Sequence, residues 1–297
     1  MTWKENLVKL YLYICEDKSI QNYLAGMRMS NNHSPEFTDE EVLTIYIFGI
    51  TEKLYKVKHI YKHVLNHLKD WFPKLPSYQA FDNRLNSLSS CFQLLIDSIN
   101  LQAWEQLPFL SEKVIDSVPI IVANNKRSST ACVANELCNK GFCSSKNMYY
   151  YGAKFHVLGT VRAAQLPLPE KSWMTPAGEN DLTAARPVFE GMYNCKIYGD
   201  KIYADQNLNQ AMQTSQNSII ITPIKKEKGQ QFEDAAHNIY SSLVSKVRQP
   251  IESLFNWLIE ITQIQTANKI RSQQGLLVHV WGKFAAGLLL LTGFFNP

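Results

Sequence analysis

The chain has 297 residues, 45% hydrophobic, 19% charged and 11% aromatic, which is ample for a packed core and excludes a disordered or fibrous polypeptide. Thirty Lys and Arg against 26 Asp and Glu leave a net charge of +4, too small for a polycationic tail, so a nucleic-acid partner requires clustered basic residues. The six Cys, at 15, 91, 132, 138, 143 and 195, lack the dense spacing of a secreted disulfide scaffold and read as reduced cytosolic thiols. Cys132, Cys138 and Cys143 are spaced too loosely to specify a zinc site.

The start, Met1 to Asn6, carries Glu5 and no apolar stretch, unlike a signal peptide. The first hundred residues read as helical. Thr38 and Glu41 have capping-box spacing ahead of the apolar run 42–47, so a helix is expected there. Between Lys53 and Lys69 lie five Lys and no acid, and apolar positions 54, 57, 60, 61, 64, 65 and 68 recur at helical spacing, leaving Lys58 and Lys62 on an outer basic stripe. His59, His63 and His67 stack on the same helix, better suited to touching phosphate than to holding metal. Pro73 and Pro76 break the chain before a second capped helix at Ser77 to Leu85, with Arg84 expected exposed. Helix, turn and helix with basic open faces suggest a DNA-binding module; an amphipathic bundle with solvated lysines has the same pattern.

From residue 113 the period becomes extended. Strands are expected at 113–122 and 151–161, with 163–168 returning as a third. A short helix at 181–192, a strand at 195–200, a helix at 207–216, a strand at 218–222, a polar loop at 225–229 and a long helix at 238–264 follow. This order indicates a mixed α/β domain. Gly275 to Phe295 is long enough to span a bilayer, but His279 and Lys283 interrupt it and the apolar remainder from Phe284 is too short; a buried helix and no membrane partner are expected.

Three acids occupy places where an acid is awkward. Asp116 is embedded in an apolar strand, Asp200 follows a strand, and Glu252 lies beside the apolar stripe of the long helix. Singly, each also fits an ordinary turn or solvated position. Together they suit phosphodiester chemistry, which calls for hard divalent cations on carboxylate oxygens. Lys154 and His156, on one strand face, are either phosphate contacts near that site or ordinary strand polarity.

Four blocks, Ile115-Asp116-Ser117-Val118-Pro119, Tyr151 to His156, Gly199-Asp200-Lys201-Ile202-Tyr203 and Arg248 to Phe255, resemble in order the signatures of bacterial insertion-sequence transposases of the DDE type. More narrowly, the chain resembles the insertion-sequence family numbered nine hundred and eighty-two, a likeness extending to Pro76 to Arg84 and the closing Lys269-Ile270-Arg271-Ser272. The resemblance implies an RNase H-like catalytic domain at 109–297 with C-terminal helices, preceded by an all-helical DNA-binding region at 1–108. It implies that Asp116, Asp200 and Glu252 bind two Mg²⁺ ions, with Mn²⁺ as a substitute, and catalyse cleavage and strand transfer. Asp205 is the rival for the second position. The partners implied are double-stranded DNA, as element ends and target, and a second copy of the chain in the DNA complex; the location implied is the bacterial cytoplasm, at the nucleoid. Lys154, His156, Lys201, Arg248, Lys269, Arg271, Arg84, Lys58 and Lys62 are the expected DNA contacts. The competing readings are a DNA-binding regulator that has lost transposition and a stand-alone nuclease.

Some positions depart from the pattern. Ser245 and Ile259 stand where related transposases have Tyr and Lys, Ile202 replaces a glycine, and Asn180-Asp181 replaces a His-Asp pair. Arg248 precedes Glu252 by four, which would place a phosphate-binding guanidinium beside the carboxylate. Pro250 between them is expected to break the helix or start a new one. Pro119 is expected to bend or end the strand of Asp116.

Overall fold

The computed structural model describes residues 2–27, 35–105, 110–144, 146–225 and 234–295. The polar loop beyond Lys225 and the boundary expected after residue 108 lie outside them. The chain forms two compact units, one of residues 1–106 with 258–297 and one of residues 107–257. The C-terminal helices, grouped on sequence with the catalytic portion, therefore belong with the N-terminal ones.

The first unit is helical. Its N-terminal helices are α1 (Trp3–Glu16), α2 (Lys18–Met27), α3 (Asp39–Thr51), α4 (Val57–His67), α5 (Tyr78–Ser87) and α6 (Cys91–Glu105). Thr38 and Glu41 form the expected capping box of α3, and the Ser77 hydroxyl accepts from the Ala80 amide at the start of α5. α4 starts later than its hydrophobic period suggests, because Lys53 adopts φ 61° and ends the preceding turn. Gly49 lets α3 approach α4: a Cβ there would meet Ile60 side-chain atoms at 2.6 Å.

The 273–291 stretch is one helical run, α10 (Gln273–Leu277), a π-turn at Val278–Gly282 and α11 (Lys283–Leu291). By length and hydropathy alone it could cross a membrane, yet 72% of it is buried inside the protein, where α11 packs on α3 and α6. Burial of so apolar a helix explains the Leu-rich sequence. It also buries two titratable groups. His279 Nε2 donates to the Ile264 carbonyl and Lys283 Nζ donates to the Gln263 carbonyl at 3.1 Å. Burial lowers the Lys283 ammonium to about 7.

The second unit carries a six-stranded sheet: β1 (Glu112–Asn124), β2 (Asn139–Cys143), β3 (Met148–Thr160), β4 (Leu168–Pro176), β5 (Lys196–Tyr198) and β6 (Ile219–Ile221). β3 pairs antiparallel with β1 along one edge; on the other, its first residues pair with β2 and the rest with β4. β5 and β6 extend the sheet from β1 in parallel. Helices α7 (Asp181–Phe189) and α8 (Gln206–Gln216) contribute Phe189 and Met212 to a core shared with Ile115, Leu158, Ile197 and Tyr203. This is the RNase H-like mixed sheet expected from the sequence. The third strand lies at 168–176 rather than 163–168, and β2 escaped the sequence reading because five residues, NKGFC, carry little β-branched signal.

Both prolines are absorbed without breaking their elements. β1 runs unbroken through Pro119, because β5 pairs only with residues 112–114 and leaves that edge open where the N–H is missing. Helix α9 (Ala235–Thr262) likewise continues through Pro250, neither ending nor restarting there. Val244, Ile251, Leu254 and Phe255 are buried on both sides of the proline, and that packing offsets the lost hydrogen bond.

Between about pH 7 and 10.5 the unfolded chain binds a proton at Lys283 that the folded chain does not, so this group makes stability rise with pH across that window. Lys283→Met is expected to remove that slope in chemical denaturation at pH 6.5 and 9, and to stabilise the protein at pH 6.5 by on the order of a few kcal/mol.

Candidate active site

Parallel pairing of β1 with β5 sets the register Val114 with Tyr198. Two residues past that last pair stand two acids, Asp116 within β1 and Asp200 just after β5. Gly199 allows this turn, since a Cβ there would stand 2.7 Å from the Tyr203 ring and 3.1 Å from Ile115. The turn exposes Asp200, whose carboxylate accepts from the Lys201 amide and caps the 3-10 turn Lys201–Tyr203.

Arg248, on α9, joins the other two acids. One guanidinium nitrogen donates to Asp116 Oδ2 at 2.9 Å and another to Glu252 Oε1 at 2.5 Å. The unbroken helix produces this, because it places Arg248 and Glu252 one turn apart on the same face. Burial pushes the Asp116 carboxyl up to about 6; repulsion from Asp200 and Glu252 adds to that, against the Ser117 amide and Arg248. The rival Asp205 caps α8 through the Leu208 amide and pairs with Arg186.

A fourth carboxylate adjoins them. Asp181 accepts from the Ser117 hydroxyl at 3.3 Å and from Lys154 Nζ at 2.7 Å, and Lys154 also donates to the Glu179 carbonyl. The sequence marked Asp181 only as a departure from a pattern; its signal was an acid in the first turn of a helix capped by Asn180. Tyr203 also went unnoticed. Its ring is wholly buried and its hydroxyl has no hydrogen-bond partner; burial, and then Asp181, Asp116 and Asp200, hold its ionisation up.

Several expected DNA contacts are otherwise engaged. His156 is fully buried, stacked on Trp173 and hydrogen-bonded to Thr175, and burial lowers it to about 4, so it presents no charge to a phosphate. Lys154 is committed to Asp181. Arg84 is not free on the surface either, for its guanidinium grips both Asp39 oxygens. Lys58, Lys62, Lys269 and Arg271 are exposed, and Lys201 is half-buried beside Asp200.

Among the described residues no three His, Cys, Asp or Glu side chains stand in ready metal-ligating geometry. The donor set nevertheless suits a hard divalent cation: Asp116 and Glu252 are carboxylates bridged by one guanidinium, Asp200 stands two residues past the β1–β5 pairing, and the Tyr203 hydroxyl is buried without a partner. A cation held by Asp116 and Glu252 would have to take the place of the guanidinium. Residues 111–272, more than half of the chain and all of this site, match the family model described as the transposase DDE domain. No curated protein matches the chain.

Arg248→Gln separates two effects. Thermal unfolding without divalent cations is expected to show destabilisation of about 1–3 kcal/mol, because Asp116 loses its counter-charge. Calorimetric titration with Mn²⁺ is expected to show affinity raised about tenfold, because a competing cation is gone.

Proposed function

Because the chain belongs to the transposase DDE family, we propose that it binds the terminal inverted repeats of an insertion sequence and catalyses cleavage and strand transfer there. The finer assignment, to the insertion-sequence family numbered nine hundred and eighty-two, is part of the same reading. The observation that carries it is the Arg248 bridge between Asp116 and Glu252 inside the matched region, with Asp200 just past the strand that pairs with β1.

Two displacements at phosphorus account for the reaction. In the first, a water oxygen attacks the phosphodiester at the element's end, the bond to the 3′ oxygen breaks, and a 3′ hydroxyl and a 5′ phosphate result. In the second, that hydroxyl attacks a target phosphodiester, the target's own bond from phosphorus to its 3′ oxygen breaks and leaves a free 3′ hydroxyl, and the strands are joined with no covalent protein intermediate. Divalent cations, two Mg²⁺ in this reading with Mn²⁺ as substitute, supply Lewis acidity for the attacking and leaving oxygens when bound to Asp116, Asp200 and Glu252.

The chain's own groups do the rest. Arg248, once released from the carboxylates, is a bidentate donor within reach of a phosphate entering the site. The Lys154–Asp181 pair holds Ser117, next to Asp116, in place. Lys58 and Lys62 on α4 meet the DNA backbone without reading sequence. Holding two ends together calls for two copies of the chain in the DNA complex, and the substrate places the protein at the bacterial nucleoid.

Strand transfer of an end-containing duplex in Mg²⁺ tests the reading. The wild type is expected to cleave and join; Asp116→Ala, Asp200→Ala and Glu252→Ala are each expected to lose at least about a thousandfold of both activities while still binding the ends. Cleavage without joining would identify a nuclease, and binding without cleavage a regulator.

A further inference from the structure

A cleft of about 610 Å³ opens within the helical unit, between the start of α4, α5, the connection 263–272 and the helical run that follows. Its rim is basic. Lys56, Lys58, Lys269 and Arg271 are exposed there, and none has an ion-pair partner among the described residues. Asp82 is the one carboxyl in the described lining, and burial pushes it toward its neutral form.

The floor is more telling. Lys283 lines the cleft while only 2% exposed, and its contacts are the Gln263 carbonyl and the Tyr55 ring, 6.0 Å from the ammonium. Burying an ammonium without a carboxylate costs stability, and the fold could avoid that cost with a methionine. A group kept at such a cost in a cavity has a ligand to meet. The walls add planar and hydrogen-bonding surfaces. Tyr55 and Tyr78 offer rings, and Asn83, whose oxygen accepts from Gln79, keeps its amide hydrogens for another acceptor.

Unpaired cations, aromatic rings and a side-chain amide in one cavity are what a nucleotide requires. The volume exceeds that needed by a lone phosphate and falls within the range of sites for small ligands. A duplex is too wide to enter it, so a DNA ligand reaches Lys283 only by leaving the base stack. We propose that this cleft holds one unstacked nucleotide of a DNA strand, its phosphate against Lys269, Arg271 and Lys283 and its base against Tyr55 or Tyr78 within reach of Asn83. The proposal rests on the DNA-binding reading above and adds a site that takes a nucleotide outside the duplex.

Fluorescence anisotropy with the full chain tests it, using a labelled single strand of roughly twelve nucleotides, the same sequence as a blunt duplex, and thymidine 5′-monophosphate as competitor. Tyr55→Ala and Asn83→Ala are expected to weaken single-strand binding about tenfold with duplex binding changed less than about twofold. Lys62→Ala, on α4 but outside the cleft, is expected to weaken duplex binding more. Tyr55→Phe, which keeps the ring, is expected to bind like the wild type, and together with the exposed Asn83→Ala it decides the matter if Tyr55→Ala does not fold. Equal losses on single strand and duplex, no loss on the single strand, or tighter binding of the mononucleotide than of the oligonucleotide would overturn the proposal. Absence of duplex binding by the wild type counts instead against the DNA-binding reading, and the single-strand series still judges the cleft.

Discussion

Carboxylates that converge repel one another, and Arg248 is the counter-charge that lets Asp116 and Glu252 stand together. The rest of the catalytic unit is arranged so that this can happen. The parallel β1–β5 register brings Asp116 and Asp200 to the same end of the sheet. α9 must pass through Pro250 without breaking, or Arg248 and Glu252 would lose the one-turn spacing that lets one guanidinium serve both. The buried residues flanking the proline are what keep the helix whole, so the electrostatics of the site depend on hydrophobic packing.

The same arrangement ranks the charges. Asp116 is the half-buried acid and carries the raised carboxyl, whereas Glu252 and Asp200 face solvent. Asp181, paired with Lys154, belongs to the supporting layer and fixes Ser117 beside Asp116. Tyr203, buried in the core beneath β5, carries an unmatched hydroxyl. A cation entering here would meet carboxylates that Arg248 already holds near one another, and the guanidinium it would displace is itself suited to phosphate.

Much of this was legible in the sequence because it is written locally. The capping box at Thr38, the helical period of the first hundred residues, the β-branched run around Asp116 and the spacing of Arg248 to Glu252 are short-range patterns, and the structure has them. What was not legible depends on distant partners. Lys154 and His156 look like exposed strand polarity until Asp181 and Trp173 are brought to them from later in the chain. Arg84 reads as free until Asp39, 45 residues earlier, is folded against it. The prolines misled for the same reason, since their local cost is real and is overridden by an open sheet edge at Pro119 and by a buried face at Pro250.

The net charge of +4 conceals how the basic residues are used. In the catalytic unit, Arg248, Lys154 and Arg186 are all spent on acids, so their charge is internal. In the helical unit, Lys58, Lys62, Lys269 and Arg271 have no acidic partner among the described residues, and Lys283 is buried without one. A surplus that the fold leaves unneutralised is available to a polyanion, whereas a paired cation must first give up its carboxylate. The chain therefore offers a polyanion two kinds of cation: unpaired ones in the helical unit, and in the other unit Arg248, which is held by Asp116 and Glu252 and would be released only when something else satisfies them. Under the proposed function, that difference would make DNA binding separable from catalysis, because only the second would call for a cation on the carboxylates.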